Sequence, residues 1–346
     1  MKIIGIDARL INQTGVGRYT KNLIENLGII DKNNQYILFL RQEEFENYPL
    51  PGKNFQKRLA DFRWHSLKEQ LQFPKILEKE KLDLVHFPYF SVPILYKGKY
   101  IVTIHDLIID HFETGKATTL PMPIYKIKRL GYKYILGNAI KKSIKIIAVS
   151  QATKNEIIDH YKVNADKISV IYEAPGLINK NVQKNNYGEY LLYVGNAYPH
   201  KNLERLIEGC KDYKLILAGP KDFFYKKLKA GENVIIRNNL SDKDLASLYQ
   251  NSKALVMPSL MEGFGLTILE AMQYNLPIFA SRIPSIQEIA GDSINYFNPE
   301  DPKDIVRALQ KSLNIKPKDY KNILSKFSWQ KAAKETLKEY ENCISI

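Results

Sequence analysis

Short apolar runs alternate with longer amphipathic stretches along almost the whole chain. Tyr100–Ile104 is apolar at nearly every position, which is typical of a strand that a parallel sheet buries on both faces. Ser66–Glu80 instead has the pattern of an amphipathic helix. The repeated alternation of these two patterns predicts an α/β fold with mostly parallel sheets.

The predicted elements form two series separated by a polar segment. In the first series we predict the strands Lys2–Asp7, Tyr36–Leu40, Leu82–Phe87, Tyr100–Ile104, Lys145–Val149 and Ile168–Tyr172 and the helices Gly17–Leu27, Ser66–Glu80, Pro123–Lys142 and Gln151–His160. In the second series we predict the strands Tyr190–Val194, Lys214–Ala218, Asn233–Ile236, Ala254–Met257, Pro277–Ala280 and Ile294–Phe297 and the helices Leu203–Gly209, Asp242–Asn251, Leu266–Tyr274, Ser285–Ile289 and Pro302–Leu313. Residues 174–189 are turn-rich and predict a linker between domains 1–173 and 190–327. Ser328 then caps an amphipathic helix over 328–346.

Composition is consistent with two soluble domains of ordinary size. The chain has 346 residues, and 45% of them are hydrophobic, which is enough for packed cores. No apolar run reaches membrane-spanning length and no signal-peptide h-region precedes Asp7, so we expect neither a membrane span nor a signal peptide. Its two cysteines, Cys210 and Cys343, have no metal-ligand spacing, so we expect a cytoplasmic protein.

The net charge of +14 is concentrated in one part of the chain. Residues 114–155 contain no acidic residue, and nine lysines and arginines fall there, Lys116 among them. Within the predicted helix, one face carries the basic residues Lys126, Arg129 and Lys133, and an adjoining stripe carries the apolar residues Ile127, Leu130 and Tyr134. The pattern suits a helix lying on an anionic membrane surface through 123–145, or a crossover helix with its lysines in water.

The segment 258–281 has the strongest chemical signal. A glycine-rich loop from Glu262 to Leu266 opens a helix there. A second carboxylate, Glu270, follows Glu262 after seven intervening residues. Free amides and the helix dipole at such a loop stabilise an anion such as a diphosphate. Carboxylates are good acceptors for sugar and ribose hydroxyls, so the combination suggests a nucleotide-sugar. The alternative is an ordinary strand–loop–helix with Glu270 on a solvated face.

These residues also carry a family resemblance. The setting PS-x-x-E-G-F-G-L-x-x-L-E-A-M resembles the signature of the group 1 (family 4) retaining glycosyltransferases. The resemblance implies a GT-B fold, in which two Rossmann-like domains face each other across a cleft. It further implies that domain 1–173 binds the acceptor and domain 190–327 the donor. The last helix, 328–346, would return to pack on the first domain.

A glycine pair follows the first predicted strand. Gly15 and Gly17 lie too far beyond Asp7 for a dinucleotide fingerprint, and Thr20 stands where that pattern requires glycine. The segment instead resembles the family's glycine loop, which contacts the donor diphosphate and shapes the acceptor side. The resemblance thereby assigns Arg18 and Tyr19 to the acceptor side. A plain glycine-rich turn is the alternative.

His105 and Asp106 follow the strand Tyr100–Ile104, at the end where open α/β sheets bind ligands. His105 resembles the family's histidine, which implies a contact with the donor hexose near the reacting centre and places Asp106 on the acceptor side. A buried histidine bonded to backbone is the alternative for His105. His86 also ends a strand, and we assign it to the core.

The loop after the strand Tyr190–Val194 carries Lys201, and Arg205 lies one helical turn later. A cation there would neutralise a diphosphate leaving group. Lys201 matches the family's phosphate-binding lysine, whereas Asn196 stands where the family often has arginine. The loop that contains Asn196 is nonetheless predicted to bind the donor. For Arg205, the alternative to binding the diphosphate is a cation exposed to solvent at the helix start. By resemblance, the loops at Gly219 and at Asn239 and Leu240 would hold the nucleobase.

The pair Asp242 and Asp244 is similar to the D-x-D metal motif of other glycosyltransferases, but Ser241 directly before them indicates a capped helix start. We therefore expect an enzyme that needs neither metal nor cofactor.

Together these observations predict a retaining glycosyltransferase. Glu262, His105 and Lys201 would be catalytic, and Gly263, Phe264, Gly265 and Leu266 with Glu262 would orient the hexose while Glu270 binds the ribose. The motif G-N-x-x-P-H-K-N resembles mannosyltransferases and favours GDP-mannose over a UDP-hexose. The acceptor expected by family analogy is a lipid-linked or polysaccharide glycan of envelope synthesis, such as lipopolysaccharide, with the enzyme cytoplasmic or peripheral on the membrane. The alternatives are a nucleotide-sugar epimerase or phosphorylase on the same fold, and a non-enzymatic binder of anionic surfaces, with nucleic acid disfavoured.

Overall fold

The computed structural model describes residues 1–112, 121–176, 182, 185–221, 223–312 and 318–345. The chain forms two compact units. The first unit comprises Met1–Asp110, Lys126–Glu173 and Ser328–Ile346, and the second comprises His111–Tyr125 and Ala174–Phe327. Part of the predicted linker (residues 177–181, 183 and 184) and Lys116 of the basic segment lie outside the described residues.

The first unit is built on a seven-stranded sheet, counted over the described residues. Its strands are β1 (Ile3–Asp7), β2 (Gln35–Leu40), β3 (Phe55–Leu59), β4 (Leu84–Phe87), β5 (Tyr100–Ile104), β6 (Lys145–Ala148) and β7 (Ile168–Val170). They pair in the order β3-β2-β1-β4-β5-β6-β7, and every pairing is parallel. The direction of winding therefore reverses between β1 and β4, where such sheets bind ligands at their carboxyl edge.

Helices cover this sheet. They are α1 (Thr14–Ile30), α2 (Gln42–Asn47), α3 (Leu67–Lys79), α4 (Ile108–His111), α5 (Met122–Lys142), α6 (Gln151–Tyr161) and, at the end of the chain, α14 (Trp329–Ser345). Ser66 and Ser150 cap α3 and α6 by accepting hydrogen bonds from Glu69 N and Thr153 N. The last helix packs along α1, and its buried Trp329 lies edge-on to Tyr19.

The second unit repeats the architecture with six described strands. These are β8 (Leu191–Val194), β9 (Leu215–Gly219), β10 (Val234–Asn238), β11 (Ala254–Met257), β12 (Ile278–Ser281) and β13 (Asn295–Phe297). The order β10-β9-β8-β11-β12-β13 is again wholly parallel, with its reversal between β8 and β11. Each unit is thus a Rossmann-like domain, as the predicted fold class requires.

The helices of the second unit are α7 (Leu203–Gly209), α8 (Phe223–Lys227), α9 (Asp242–Asn251), α10 (Leu266–Gln273), α11 (Pro284–Ala290), α12 (Pro302–Ser312) and α13 (Lys321–Leu324). Fully buried apolar residues of the strands, such as Leu215, Leu217 and Val256, pack against Leu206 of α7 and Ile305 of α12. The apolar strand runs therefore form the core, and the loops at the strand ends remain for binding.

The predicted elements agree with the structure to within a few residues, with five additions among the helices and strands. Strand β3 and the short helices α2, α4, α8 and α13 were not predicted. The glycine segment also differs, because α1 begins at Thr14 and Gly15 and Gly17 therefore lie inside its first turn.

Candidate active site

The reversal point of the second sheet brings two predicted residues together. Lys201 lies in the loop after β8 and Glu262 in the loop after β11, and these neighbouring strands are parallel. Lys201 Nζ lies 2.6 Å from Glu262 Oε1, with the two side chains 15% and 10% exposed. Sixty-one residues separate them in sequence, so the sheet order is what makes them neighbours. The result is a nearly buried ion pair at the edge where open α/β sheets bind ligands.

Backbone and side-chain bonds hold the two loops against each other. Leu260 N donates to the carbonyl oxygen of His200 at 2.7 Å. Asn202 donates through Nδ2 to the carbonyl oxygens of Pro258 at 3.1 Å and Pro299 at 2.9 Å. Arg205 Nη1 donates in turn to Asn202 Oδ1 at 3.1 Å. Arg205, which we predicted as a second diphosphate cation, therefore supports the loop that carries Lys201.

The loop before α10 is held in a defined conformation. Gly265 precedes the helix with φ +113°, a conformation that residues with a Cβ rarely adopt. Phe264 is buried and packs edge-on against Phe327, with ring centroids 5.8 Å apart. The carbonyl oxygen of Glu262 accepts a 2.7 Å hydrogen bond from Ser285 Oγ. The loop is thus fixed on both sides, and the first amides of α10 from Leu266 onward are oriented as at any helix start.

Glu270 lies one turn into α10 and is only 9% exposed. Its Oε2 accepts a 2.8 Å hydrogen bond from the hydroxyl of Tyr249, a buried residue of α9. The ring of Tyr249 stacks on Tyr274 with centroids 5.5 Å apart. Tyr249 was not among the predicted site residues, because its partner Glu270 lies on another helix. The alternative of a solvated Glu270 is therefore wrong, since the carboxylate is buried and held by a donor.

The loops after β8, β9 and β10 meet at the same edge. A Cβ on Gly219 would lie 2.0 Å from the carbonyl oxygen of Gly195, so the first two loops are in direct contact. Asn238 Nδ2 donates to the carbonyl oxygen of Gly219 at 3.1 Å and thereby ties on the third loop. Asn239 follows in the left-handed conformation, with φ 52°, and leads to Leu240. The residues predicted to hold a nucleobase therefore cluster within this unit.

Asn196 stabilises the loop after β8 through hydrogen bonds to its backbone and its side chain. Its carbonyl oxygen accepts a 2.6 Å bond from the Tyr193 hydroxyl, and its Oδ1 accepts from Tyr198 N at 3.3 Å. The preceding Gly195 has φ +153°. Asn196 thus shapes the turn that leads to Lys201.

His200 is neutral beside this pair. Burial is the main cause that lowers the pKa of His200 to about 4, and the positive charge of Lys201 lowers it further, against the effect of Glu262. The ring therefore carries no charge near neutral pH, and Lys201 supplies the cation at this position.

In the first unit, His105 sits at the carboxyl end of β5 with both ring nitrogens bonded. Nδ1 lies 2.9 Å from Glu173 Oε1, and Nε2 lies 2.9 Å from the carbonyl oxygen of Pro88. Burial opposes a charge on the ring, but the hydrogen bond and charge of Glu173 outweigh it and raise the pKa of His105 above its ordinary value. Glu173 was not among the predicted site residues, because it lies 68 residues away in sequence.

The glycine segment of α1 makes close contacts within its own unit, and its predicted role toward donor and acceptor stays a prediction. A Cβ on Gly17 would lie 2.4 Å from the carbonyl oxygen of Ile11, so this glycine is needed for packing within the unit, whereas Gly15 is exposed with open space around it. Arg18 is half-buried on the same helix. Tyr19, predicted on the acceptor side, is 1% exposed, and its hydroxyl lies 3.1 Å from Thr103 Oγ1. Tyr19 can therefore act only through its neighbours.

The segment after His105 begins a short helix. Asp106 Oδ1 accepts a 3.0 Å bond from Ile108 N and so stabilises the start of α4. Asp106 is half-buried, and its predicted role toward an acceptor stays a prediction.

The basic face predicted on α5 is divided. Arg129 donates to the carbonyl oxygen of Ile109, and Lys133 forms a 3.4 Å ion pair with the buried Asp110. Both cations thus point toward the unit. Lys126 of the predicted face is exposed, as are Lys128, Lys141 and Lys142 of the same helix. The apolar stripe is solvent-facing and consists of Ile124, Ile127, Leu130 and Tyr134, which are 50%, 71%, 68% and 64% exposed.

Asp244 has the capping role predicted from the sequence. Ser241 Oγ accepts from Asp244 N, and the Asp244 carboxylate accepts from Ser241 N, which completes a capping box at the start of α9. Across the part of the chain that the structure describes, no group of three or more His, Cys, Asp or Glu residues is placed to hold a metal.

The sequence matches known families along both units. Residues 14–174 match Glycosyltransferase Family 4, and residues 177–327 match Glycosyl transferases group 1. The O-antigen chain mannosyltransferase RfbU of Salmonella typhimurium is 29% identical over a match covering 73% of this chain and 71% of that protein. An uncharacterized glycosyltransferase of Methanocaldococcus jannaschii is 33% identical, with 77% of both chains covered.

The fold is also similar to that of solved structures. Sucrose-phosphate synthase from Thermosynechococcus elongatus has a TM-score of 0.76 to this chain at 17% identity, with all of both chains covered. Among the described helices, none combines the length and the apolar character needed to cross a bilayer.

Proposed function

This chain belongs to the group 1, family 4 glycosyltransferases, and we propose that it transfers a hexose from a nucleoside-diphosphate sugar to a glycan acceptor with retention of configuration. The observation that carries the proposal is the Lys201–Glu262 pair at the reversal point of the second sheet, beside the start of α10. One cation, one carboxylate and free helix amides at one strand edge match a ligand that has both phosphates and hydroxyls.

In the proposed complex, the second unit binds the donor. A diphosphate would compete with Glu262 for the ammonium of Lys201, and Lys201 would stabilise the charge that builds up on the leaving group. Glu262, released from this pair, would accept hydrogen bonds from the hexose. Glu270, held by Tyr249, would accept them from the ribose. No carboxylate is assigned as a covalent nucleophile, so we propose a same-face displacement in which the leaving phosphate takes the acceptor proton.

We propose GDP-mannose as the donor. The G-N-x-x-P-H-K-N segment and the likeness to an O-antigen chain mannosyltransferase support mannose, and a UDP-hexose is the alternative to be tested beside it. We also propose that transfer needs no added metal, which is supported by the use of Asp244 as a helix cap.

The acceptor proposed for the first unit is a lipid-linked or polysaccharide glycan of envelope synthesis, bound near His105. The exposed stripe on α5 supports a location at an anionic membrane surface on the cytoplasmic side. Ile127 and Leu130 would enter the lipid headgroup region while Lys126 and Lys128 meet its negative charge.

A transfer assay tests this function directly. Purified protein is given GDP-mannose, UDP-glucose or UDP-N-acetylglucosamine, with and without chelator, together with membrane-extracted acceptor, and the product's anomeric configuration is read by NMR. We expect mannose transfer with retention, and a loss of at least about 100-fold in kcat for Glu262→Gln and Lys201→Met.

Lys253→Met is the matched control. Lys253 also forms an ion pair in the second unit, with Glu189 at 2.9 Å, but it precedes β11 and therefore lies at the amino edge of the sheet, opposite the carboxyl edge that holds Lys201. Full activity of Lys201→Met, or equal losses in both lysine variants, would contradict the assignment. Donor epimerisation or phosphorolysis without acceptor product would favour the alternative enzymes, and binding of anionic vesicles without nucleotide selectivity would favour the non-enzymatic binder.

A further inference from the structure

The hydrogen-bond partners of His105, together with the raised pKa of its ring, indicate that both ring nitrogens carry a proton. The carbonyl oxygen of Pro88 can only accept, so Nε2 of His105 carries a hydrogen. An ionised Glu173 can also only accept, so Nδ1 carries one as well. The arrangement is therefore that of an imidazolium paired with a carboxylate, at 14% and 5% side-chain exposure.

His86 provides an internal comparison in the same unit. It is fully buried, and its nitrogens lie 2.6 Å from the Tyr340 hydroxyl and 2.8 Å from Thr103 Oγ1. Hydroxyls can donate as well as accept, so they satisfy a neutral ring. Burial, with a smaller effect from the charge of His105, lowers the pKa of His86 to about 3. Two buried histidines thus differ chiefly in that one has a carboxylate partner.

The surroundings of His105 fix its ring as well as its charge. Tyr19 packs edge-on against it with centroids 5.0 Å apart, and the Tyr19 hydroxyl bonds to Thr103. The titratable groups around the ring are Glu173, Asp106, His86 and Tyr19. Glu173 and Asp106 both favour the charged ring, and Glu173 is the one bonded to it.

We propose that Glu173 is a positioning residue of the transfer reaction, which holds the His105 imidazolium at the carboxyl end of β5 as a fixed positive charge. This inference rests on the proposed function, in which His105 lies near the transferred sugar. An imidazolium has no free lone pair, so His105 acts through its charge and its orientation and not as a general base. Glu173 follows β7, so it reaches the ring from a different loop and fixes it independently of β5.

Two measurements on Glu173→Gln test the pairing and its role separately. The first follows the histidine ring signals by NMR from about pH 5 to about pH 9, with His105→Gln to assign the resonance. We expect the His105 titration in Glu173→Gln to move to lower pH by at least about one pH unit. The second follows kcat/KM for transfer over the same range, where the alkaline limb should move in the same direction, with a loss of about tenfold near pH 8.

Control variants separate these effects from a loss of fold. Glu173→Asp keeps the carboxylate and should restore both the titration and the pH profile at least in part. Glu339→Gln removes another carboxylate of this unit, one that bonds to Ser169 Oγ, and should change neither. If Glu173→Gln does not fold, the same comparison is made with Glu173→Asp, whose shorter side chain leaves the carboxylate farther from the ring and should give smaller shifts of the same sign.

The outcomes are distinguishable. An unmoved His105 titration overturns the pairing. A moved titration with an unchanged pH profile overturns the positioning role, as does a uniform loss of activity at every pH. A wild-type protein that transfers no sugar overturns the proposed function and the positioning role together, and the NMR titration still decides whether the pairing exists.

Discussion

Removing the Tyr249 hydroxyl tests how Glu270 is held. In Tyr249→Phe, the buried carboxylate loses the 2.8 Å hydrogen bond at Oε2 while the ring and its stack on Tyr274 remain. A hydrogen bond to a charged group contributes roughly 1.5–3 kcal/mol when the charge is left buried without it. We therefore expect the free energy of unfolding to fall by about 2 kcal/mol and the melting temperature by about 5 °C.

The same change should weaken nucleotide binding. If Glu270 accepts the ribose hydroxyls, a carboxylate that is no longer oriented should bind GDP about tenfold less tightly, which corresponds to about 1.4 kcal/mol. Denaturant unfolding gives the stability, and isothermal titration calorimetry gives the Kd for GDP. Tyr274→Phe is the control, because over the described residues its hydroxyl makes no hydrogen bond, and it should change stability by less than about 0.5 kcal/mol.

Two results would refute this reasoning. Tyr249→Phe with unfolding equal to wild type would mean that the hydroxyl does not stabilise the Glu270 carboxylate. Lowered stability with an unchanged Kd for GDP would mean that Glu270 is a structural residue of α9 and α10 and does not bind the ribose.

Three further predictions concern the first unit and α5. Gly17→Ala should lower the free energy of unfolding by about 1–3 kcal/mol, because the new Cβ meets a carbonyl oxygen at 2.4 Å. Gly15→Ala should leave the free energy of unfolding unchanged or raise it by up to about 0.5 kcal/mol. Urea unfolding of both variants checks this. The pKa of His86 in the fold, about 3, lies below its unfolded value of 6.5. Its contribution to the free energy of unfolding is therefore complete above pH 6.5 and decreases as pH falls, by about 2 kcal/mol at pH 5. The free energy of unfolding of His86→Gln should depend less steeply on pH across this range. Ile127→Asn should weaken binding to phosphatidylglycerol vesicles about five- to tenfold in a sedimentation assay. Ile29→Asn, which changes a similarly exposed isoleucine of α1, should leave binding unchanged. Equal losses in both variants would contradict the membrane role of α5.

Most of the fold follows from the strand pattern, and the exceptions have a physical cause. β3 reads Phe-Gln-Lys-Arg-Leu, and only Phe55 is buried, because the strand lies at the end of the sheet order and needs no apolar run. Helix α2 buries none of its residues, so no periodic pattern marks it. Apolar patterning thus finds the longer elements that a core encloses and misses elements such as β3 and α2, whose side chains lie mostly outside it.

The sequence allowed individual site residues to be predicted, but not the partners that hold them in place. Loop composition pointed to Lys201 and Glu262, and the parallel order of β8 and β11 explains their meeting. The partners that hold the site residues were not predictable, because Glu173 and Tyr249 lie on other elements and carry no motif of their own. The effect of Glu173 also depends on burial. Burial alone lowers the pKa of a histidine, as at His86, whereas the neighbouring carboxylate of Glu173 stabilises the charged ring of His105.

The cations at the reversal point of the second sheet limit how a diphosphate could be stabilised there. Asn196 replaces the arginine that resembling enzymes often carry, and Arg205 is bonded to Asn202 and so acts on the loop. Lys201 supplies one positive charge, while a departing nucleoside diphosphate carries more than one negative charge. The amides at the start of α10 add a partial charge of about +0.5, and Gly265 with its positive φ leads the chain into that helix start. We therefore expect that Lys201→Met and Gly265→Ala would each weaken binding of a nucleoside diphosphate, because each removes or displaces part of the positive charge at this edge.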